Sequence, residues 1–458
     1  MNAETQTPSI TRILLLGGGF AGIYTARRLE KLFAGRSDVE IILVSRDNFL
    51  LMTPLMFEVC SGTLEASDCS ISIREFVRNV KFVEASVDEI DLEQRLVRIS
   101  WGDANQRELA YDQLVLAMGG LTNTSRISGS ELAFTFKTLA DAILLRNHVI
   151  ERMERAEPES DAKLRRRQLT FVVIGGGLVG VEVFGELTAF MDEILRYYPG
   201  IRREEIRLYL LQASEEIMPE LSKKLAEYST HLLSKRKGVS IRVNSPVERI
   251  TPGQVHLKDE ILEASTIVLS AGVVPSPIVA RLAVEKDQRG KIAVEPTMRC
   301  KQHPEVWAAG DCASIPDPTG KPYPDLAQHA MREAKVLADN IYATVNQLPI
   351  KPFVYKTKGV MASLGHHRGV AVMMGIPLRG FLAWWLRRSY YILVTPRMAQ
   401  RVRLVADWTI GFFFHPTLSK IDLNTEREML LHYAAVRALA ESGRATEVKS
   451  AIAPENAR

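Results

Sequence analysis

The sequence predicts an α/β protein with two similar βαβ units, each built on a parallel sheet. Two segments, starting at Thr11 and Leu169, share one pattern: a short apolar run, a glycine cluster and a helix-like stretch. A second apolar run follows each of them, at 39–44 and at 206–211. Strand, glycine turn, helix and strand is the order of a βαβ unit, so duplication of one unit is the simplest explanation.

Further apolar runs predict the remaining strands of the two sheets. The runs at 113–117, 266–270 and 305–309 each lead into glycine, as buried strands of a parallel sheet do. The charged stretch 151–168 predicts a solvated helix end and a linker between the units.

Length and composition exclude several classes of protein. A chain of 458 residues with 46% apolar and 24% charged residues is globular and long enough for two or three domains. A net charge of +4 is too small to indicate a nucleic-acid partner, and none is expected. The four cysteines form no close pair, which predicts reduced thiols and no metal site. No run approaches the ~18 apolar residues that a membrane-spanning helix needs.

The glycines have the spacing of a dinucleotide-binding turn. In the first unit, Gly17 makes the tight turn, Gly19 lets a pyrophosphate approach the backbone, and Gly22 lets helix and strand pack closely. The N–H groups at the start of the following helix then face the phosphates. The second unit repeats the motif with Gly175, Gly177 and Gly180. Two pyrophosphate sites suit a flavin together with a nicotinamide, so both units are predicted to be Rossmann-like domains.

The acidic residue that usually binds the ribose is absent from both units. The first unit has Ser45 and Arg46 at this place, and the second has Gln212. An acid there repels the 2′-phosphate of NADPH. Gln212 removes that repulsion, so NADH, NADPH or both remain open, with a hydrogen bond to the ribose of NADH slightly favoured.

Two polar sites outside the glycine turns carry alternative interpretations. Glu182, just after the second glycine motif, either compensates the helix dipole or lies beside the nicotinamide and flavin rings. His366 and His367 are interpreted as a surface or interface loop, because adjacent histidines point apart and seldom share a metal.

Beyond these motifs, the chain resembles the type II (non-proton-pumping) NADH dehydrogenases, the peripheral NADH:quinone oxidoreductases of the two-dinucleotide-binding flavoproteins. The resemblance covers about residues 11–425. The superfamily motifs lie at 17–22, 117–120, 175–180 and 309–313, and the narrower markers at 47–59, 180–187, 327–330, 380–386 and 407–408.

The resemblance implies FAD, NADH and site residues. Asp311 would bind the FAD ribityl chain, Ala327 and Gln328 would line the quinone-facing side of the flavin, and Glu182 would lie at its nicotinamide side; Glu182 and Gln328 are the expected catalytic residues. The expected cofactor contacts are Gly17, Gly19, Phe20, Ala21, Gly22, Ser45, Arg46, Thr53, Pro54, Ala117, Gly119, Gly175, Gly177, Leu178, Val179, Gly180, Gln212, Gly272, Gly310, Asp311, Ala327 and Gln328.

The chain also departs from the family pattern. Where the family commonly has a second glutamine after Ala327-Gln328, this sequence has Arg332, which leaves the electron acceptor open. Cys60 and Cys69 lack the spacing of the redox pair of disulfide reductases, so that function is excluded. Two alternatives remain: a soluble FAD-dependent NAD(P)H reductase of a protein or small molecule, and a nicotinamide-binding redox sensor.

The segment 376–414 predicts contact with a membrane surface. It combines Trp, Tyr and Phe side chains with six arginines, a composition that suits the interface of a bilayer. The alternative is that its apolar side chains are core between domains, an interpretation favoured for Val402 and Val405. The arginines are Arg379, Arg387, Arg388, Arg397, Arg401 and Arg403.

These observations give one domain plan and one function. Residues 1–125 and 273–345 are predicted to form the FAD domain, 126–272 the NAD(P)H domain, 346–425 a membrane-associating region, and 426–458 a helix and flexible tail. The expected reaction passes a hydride from NADH to FAD and two electrons to a membrane quinone, without proton pumping. The expected location is peripheral, on the cytoplasmic face of the inner (plasma) membrane, with a homodimer left open.

Overall fold

The fold is a mixed α/β structure in a computed structural model that describes residues 10–102 and 105–420. The predicted tail at 426–458 therefore lies outside the described residues. The first part of the chain contains β1 Thr11–Leu16, α1 Phe20–Leu32, β2 Val39–Ser45, β3 Phe49–Leu51, α2 Met56–Cys60, β4 Ser70–Ser72, α3 Ile73–Phe76, β5 Lys81–Glu84, β6 Ser86–Asp91, β7 Leu96–Trp101, β8 Asn105–Ala110, β9 Gln113–Leu116 and β10 Gly120–Thr122.

The middle of the chain forms a second α/β unit. Its elements are α4 Leu139–Ala156, α5 Ala162–Gln168, β11 Thr170–Ile174, α6 Leu178–Ile194, β12 Arg207–Leu211, α7 Lys223–Ser234, β13 Val239–Arg242, β14 Val247–Thr251, β15 Gln254–Leu257, β16 Ile261–Glu263 and β17 Thr266–Leu269. The expected helix end at 151–168 is present, since α4 runs to Ala156, but the connection is confined to 157–161, because Ala162–Gln168 form α5, whose N-terminus Asp161 caps.

The last part returns to the first sheet and then extends beyond it. Its elements are β18 Val273–Pro275, α8 Pro277–Arg281, β19 Ile292–Ala293, β20 Val306–Ala308, β21 Ala313–Ser314, α9 Ala327–Val345, β22 Gly359–Ser363, β23 Gly369–Met373, β24 Ile376–Gly380, α10 Phe381–Val394 and α11 Met398–Phe413.

Two parallel sheets carry the nucleotide-binding turns. The first has the order β20-β9-β1-β2-β5 and the second the order β13-β12-β11-β17. Their central strands β1 and β11 are buried on both faces, which explains why they are continuous runs of Leu, Ile and Val. Since β20 lies beside β9, the first sheet contains strands from both sides of the inserted unit.

The chain leaves and re-enters the first unit at one place. Strand β10 pairs antiparallel with β18, and the Asn123 N–H donates to the Gly272 carbonyl at 3.0 Å. The predicted fold class, with two Rossmann-like units, is confirmed. Among the described residues, no helix is long and apolar enough to cross a bilayer.

Candidate active site

The first glycine turn leaves a helix N-terminus open. Gly17 has φ +111° and passes so close to β9 that a Cβ there would lie 2.2 Å from the Ala117 carbonyl oxygen. A Cβ on Gly22 would lie 1.9 Å from the Gly17 carbonyl oxygen. No side chain caps α1, and nothing lies within 4 Å of a Cβ placed on Gly19. The first-turn N–H groups, those of Phe20, Ala21 and Gly22, therefore face open space where a phosphate would be stabilised.

The second glycine turn repeats this geometry. Gly175 has φ +105°, and a Cβ on Gly180 would lie 1.8 Å from its carbonyl oxygen. No side chain caps α6 at Gly177, so the N–H groups at Leu178 and Val179 are open as well. The second turn differs from the first in having an acidic neighbour: a Cβ on Gly177 would lie 3.6 Å from a carboxylate oxygen of Glu220.

The residues at the two ribose positions support the glycine turns from within the protein. Ser45 is buried, and its Oγ would lie 2.6 Å from a Cβ on Gly18. Gln212 accepts from the Gly176 N–H at 2.8 Å and donates to the Ser214 hydroxyl at 2.6 Å. Its amide therefore holds the second turn in shape. Arg46 points outward, 3.8 Å from Asp47.

The turn after β20 lies beside the first glycine turn. A Cβ on Gly310 would lie 3.2 Å from the Ala21 Cβ at the start of α1. The Gly310 N–H donates to Glu333 at 2.9 Å, and burial raises the pKa of Glu333 to about 7. Asp311 forms an ion pair with Lys137 at 3.0 Å, which joins this turn to the second unit.

Gln328 is held in place at the start of α9. Its Nε2 donates to the Gly359 carbonyl at 2.6 Å, and its Oε1 accepts from the Tyr355 hydroxyl at 3.1 Å. One turn further, Arg332 donates to the Gln328 carbonyl at 2.8 Å. Ala327, Gln328 and Arg332 are all partly exposed, so this end of α9 presents amide and guanidinium groups together.

Glu182 belongs to a buried ionic cluster. Its Oε1 accepts from Arg387 at 3.0 Å and from the Ser363 N–H at 2.9 Å. Arg387 also pairs with Glu58 at 3.1 Å, and Arg388 pairs with the other oxygen of Glu58 at 2.8 Å. The helix-dipole interpretation of Glu182 is wrong, because it is the fifth residue of α6 and its partners lie on β22 and α10.

The cluster shifts the protonation of its carboxyl groups. Burial raises the pKa of Glu182 to about 7, against the opposing effect of Arg387. Burial also raises the pKa of Glu186, which accepts from the hydroxyls of Ser61 at 3.0 Å and Ser363 at 2.7 Å. Elements α2, α6, β22 and α10 thus meet around a carboxyl group, that of Glu182, whose pKa lies near neutral pH.

Comparison with known proteins identifies the family. The model of the pyridine nucleotide-disulphide oxidoreductases matches residues 11–334. A probable NADH dehydrogenase of Dictyostelium discoideum is 30% identical, over 89% of this chain and 91% of the relative. The type II NADH:quinone oxidoreductase NdhA of Mycobacterium tuberculosis is 31% identical, over 88% and 87% of the two chains. The chain belongs to the type II NADH:quinone oxidoreductases.

Solved structures agree on the fold. The structure of NDH2 from Plasmodium falciparum in complex with NADH is similar with a TM-score of 0.82 at 20% identity, and covers 90% of this chain and 100% of that one. The sulfide:quinone oxidoreductase of Aquifex aeolicus is similar with a TM-score of 0.66 at 17% identity, over 86% and 92% of the two chains.

This type II chain has residues that fit FAD, the cofactor that its family implies. Besides Gly19, positions Gly119 and Gly272 have no atom within 4 Å of an added Cβ, so the backbone is open at the first turn and at the crossover between the units. Asp311 supplies a carboxylate beside the uncapped start of α1. Open backbone, free N–H groups and a nearby acid are the features that a dinucleotide needs.

The C-terminal helices of the type II chain differ from expectation at four residues. Val402 and Val405, interpreted as core, are 62% and 46% exposed, and α11 buries Gln400, Leu404 and Trp408 instead. Arg387 and Arg388, interpreted as surface cations, are buried in the ionic cluster. His367 is exposed in the loop between β22 and β23, as the surface-loop interpretation expects, and its ring stacks on Phe412 at 4.8 Å.

Sequence reasoning missed Glu58, Glu186, Arg387 and Ser363 as parts of the site. A signal was present: Glu182 and Glu186 are spaced i, i+4 on a helix that is otherwise largely apolar. Two acids on one face of a buried helix require a cation or a proton from elsewhere. The sequence does not show which arginine, because Arg387 is 205 positions from Glu182 (387 minus 182).

Proposed function

We propose that this protein oxidises NADH with bound FAD and reduces a quinone at a membrane surface, without pumping protons. The observation that carries the proposal is the pair of uncapped glycine turns, in a chain whose relatives are named type II NADH:quinone oxidoreductases. Bound FAD supplies the redox chemistry, since it accepts a hydride and gives up two electrons.

The chain's own residues bind and orient the reactants. The first turn and Asp311 hold FAD, and the second turn, from Gly175 to Gly180, holds NADH. Gln212 keeps that second turn in shape with a neutral amide, so NADPH stays open as a second donor. Residues 1–125 with 273–345 are the proposed FAD domain, and 126–272 the proposed NAD(P)H domain.

We propose that Glu182, expected at the nicotinamide side of the flavin, holds a proton that is passed on during quinone reduction. A quinone takes up two protons with its two electrons. A carboxyl group with a pKa raised to about 7 carries a proton for part of the time at neutral pH and releases it readily. Gln328, fixed between Tyr355 and Gly359, lines the acceptor side and positions the quinone.

The exposed apolar face of α10 and α11 is the proposed contact with lipid. These helices expose many large apolar side chains, and the surfaces of soluble monomeric proteins seldom carry so many close together. Leu393 is 70% and Phe413 77% exposed. A soluble reductase predicts buried core here, so this face favours the membrane. The cytoplasmic side of the inner membrane remains our proposal, and the homodimer stays a prediction. The exposed residues are Phe381, Leu382, Trp385, Leu393, Met398, Val402, Val405, Ile410, Phe412, Phe413 and Phe414.

An anaerobic titration of the purified protein tests the function. Stoichiometric NADH should bleach the visible absorbance of bound flavin, and a short-chain quinone added afterwards should restore it. Purification without flavin would refute the cofactor assignment. Bleaching that oxygen reverses but quinone does not would refute the acceptor, and would favour a reductase of another acceptor.

A further inference from the structure

A guanidinium group lies beside Gln328 without a carboxylate partner. Arg332 follows Gln328 by one helical turn, and its Nη1 donates to the Gln328 carbonyl at 2.8 Å. Its Cζ lies 4.7 Å from the centre of the Tyr355 ring. Within the described residues, no Asp or Glu oxygen forms an ion pair with Arg332.

The polar groups around it do not neutralise this charge. Tyr355 donates its hydroxyl to Gln328, and His329 bonds to the Thr357 hydroxyl at 3.0 Å. Burial lowers the pKa of His329 to about 4, so this imidazole is neutral at physiological pH. The one nearby carboxyl on the described helix α9, Glu333, is buried and bonds to the Gly310 N–H on another side of the helix. Arg332 therefore gives this patch a net positive charge.

The geometry of Arg332 suits an anionic oxygen. A guanidinium has five N–H donors in a rigid plane, and the hydrogen bond to Gln328 uses one of them. The contact of its Cζ with the face of the Tyr355 ring and the hydrogen bond to Gln328 restrain the guanidinium, which reduces the entropy lost on binding. Charge-assisted bonds from arginine to oxyanions are stronger than bonds between neutral groups.

We propose that Arg332 is a specificity-determining residue that favours quinones with an ionised oxygen on the ring, such as hydroxynaphthoquinones, over neutral quinones. The inference rests on the proposed function and names the substrate class of its acceptor site. The overall reaction is NADH + H⁺ + quinone giving NAD⁺ + quinol. Both electrons come from NADH, and the two quinone carbonyls become hydroxyls. The ionised substituent binds Arg332 in the oxidised quinone. Reduction ends its conjugation with the carbonyl, so the oxyanion takes up one further proton from solvent, and for the anion the balance is NADH + 2 H⁺ + quinone anion giving NAD⁺ + neutral quinol.

The test compares 2-hydroxy-1,4-naphthoquinone, which is ionised at neutral pH, with neutral 2-methoxy-1,4-naphthoquinone of similar size. Two quantities are measured on the flavin-loaded protein: kcat/KM with NADH, and Kd by calorimetry without NADH. Arg332→Gln should weaken binding of the anion about tenfold or more and change the Kd of the methoxy compound little. Arg332→Lys should retain part of the preference for the anion, because lysine keeps the positive charge but lacks the planar set of N–H donors of arginine.

Arg299→Gln is the matched control. Arg299 also lies over an aromatic ring, with its Cζ 4.6 Å from the centre of Trp307, and it donates a hydrogen bond to Thr344 rather than to a carboxylate. Arg299→Gln should leave the ratio of kcat/KM for the two quinones, and the ratio of their Kd values, as in the wild type. Added salt should raise the KM of the anion in the wild type and leave that of the neutral quinone unchanged.

The outcomes separate this inference from the proposed function. If Arg332→Gln reduces both quinones with the wild-type preference and binds the anion equally well, the inference is wrong and the proposed function stands. If the wild type reduces neither quinone, both fail. The inference is supported if Arg332→Gln selectively loses binding and reduction of the anionic quinone while Arg299→Gln retains both.

Discussion

The glycine turns and the C-terminal helices are held in place by different physical effects. The turns depend on close backbone contacts between residues five positions apart. An added Cβ would lie 1.9 Å from the Gly17 carbonyl oxygen at Gly22, and 1.8 Å from the Gly175 carbonyl oxygen at Gly180. The helix α10 depends on charges far apart in sequence, Arg387 with Glu58 and Glu182, buried together. The glycine turns are therefore fixed by steric contacts that leave no room for a side chain. The position of α10 is fixed by long-range ion pairs, whose strength depends on the protonation of the glutamates.

The largest expected effects come from breaking each turn separately. Gly22→Ala places a Cβ against the Gly17 carbonyl and should yield protein without bound flavin. Gly180→Ala should keep the flavin but slow its reduction by NADH about a hundredfold, since it displaces only the second turn. Visible absorbance and stopped-flow bleaching measure the two losses.

A glycine outside both turns is the control for this pair. Gly411→Ala, whose Cβ would have its nearest atom at 3.9 Å, should change neither readout. Equal loss of flavin in Gly22→Ala and Gly180→Ala would contradict the assignment of one cofactor to each turn.

The next effect comes from removing one member of the ionic cluster. Arg387→Met leaves Glu182 buried without its cation and Glu58 with Arg388 alone, and should cost about 3–5 kcal/mol in the free energy of unfolding. The control Arg397→Met removes the Arg397–Glu75 pair, in which each side chain is 46% exposed, and should cost no more than about 1 kcal/mol. Urea unfolding measures both, and equal costs would show that the cluster does not hold α10.

A smaller effect concerns the pH dependence of stability. The pKa of Glu182 is about 7 in the folded protein, above the value of an unfolded glutamate. Its contribution is therefore fully present below the unfolded pKa and is lost as pH rises through 7. Relative to the wild type, Glu182→Gln should gain on the order of 2–3 kcal/mol in the free energy of unfolding between pH 5 and pH 8. Parallel pH profiles of the two proteins would show that Glu182 does not titrate in this range.

The smallest effect on stability should accompany loss of lipid binding. Phe413→Glu changes an exposed side chain, so the free energy of unfolding should move by less than about 0.5 kcal/mol. Partition into vesicles should fall about tenfold or more, because burial of one large apolar side chain in lipid contributes about 1.5–3 kcal/mol. Ile261→Glu, at an exposed position on β16, should leave vesicle binding unchanged.

The same contrast explains how much could be predicted from sequence. The apolar-run strands of the two parallel sheets, the two glycine turns and the helices that follow them come from patterns shorter than one βαβ unit, and the structure contains them; the smaller antiparallel sheets, such as β22–β24, were not predicted. Residues such as Arg387 could not be assigned, because an arginine near tryptophans has the same local pattern whether it meets lipid or a buried glutamate. The buried face of α11 could not be assigned for a related reason: Val402 and Leu404 are both apolar, and only the packing of α11 decides which is covered.

The most direct test of the account is steady-state NADH oxidation by the purified protein with a membrane quinone, with and without liposomes. We expect rapid, flavin-dependent quinone reduction that liposomes increase in the wild type and not in Phe413→Glu. Turnover that is equal with and without lipid would contradict the proposed membrane contact, and absence of quinone reduction with a fully reducible flavin would contradict the central claim.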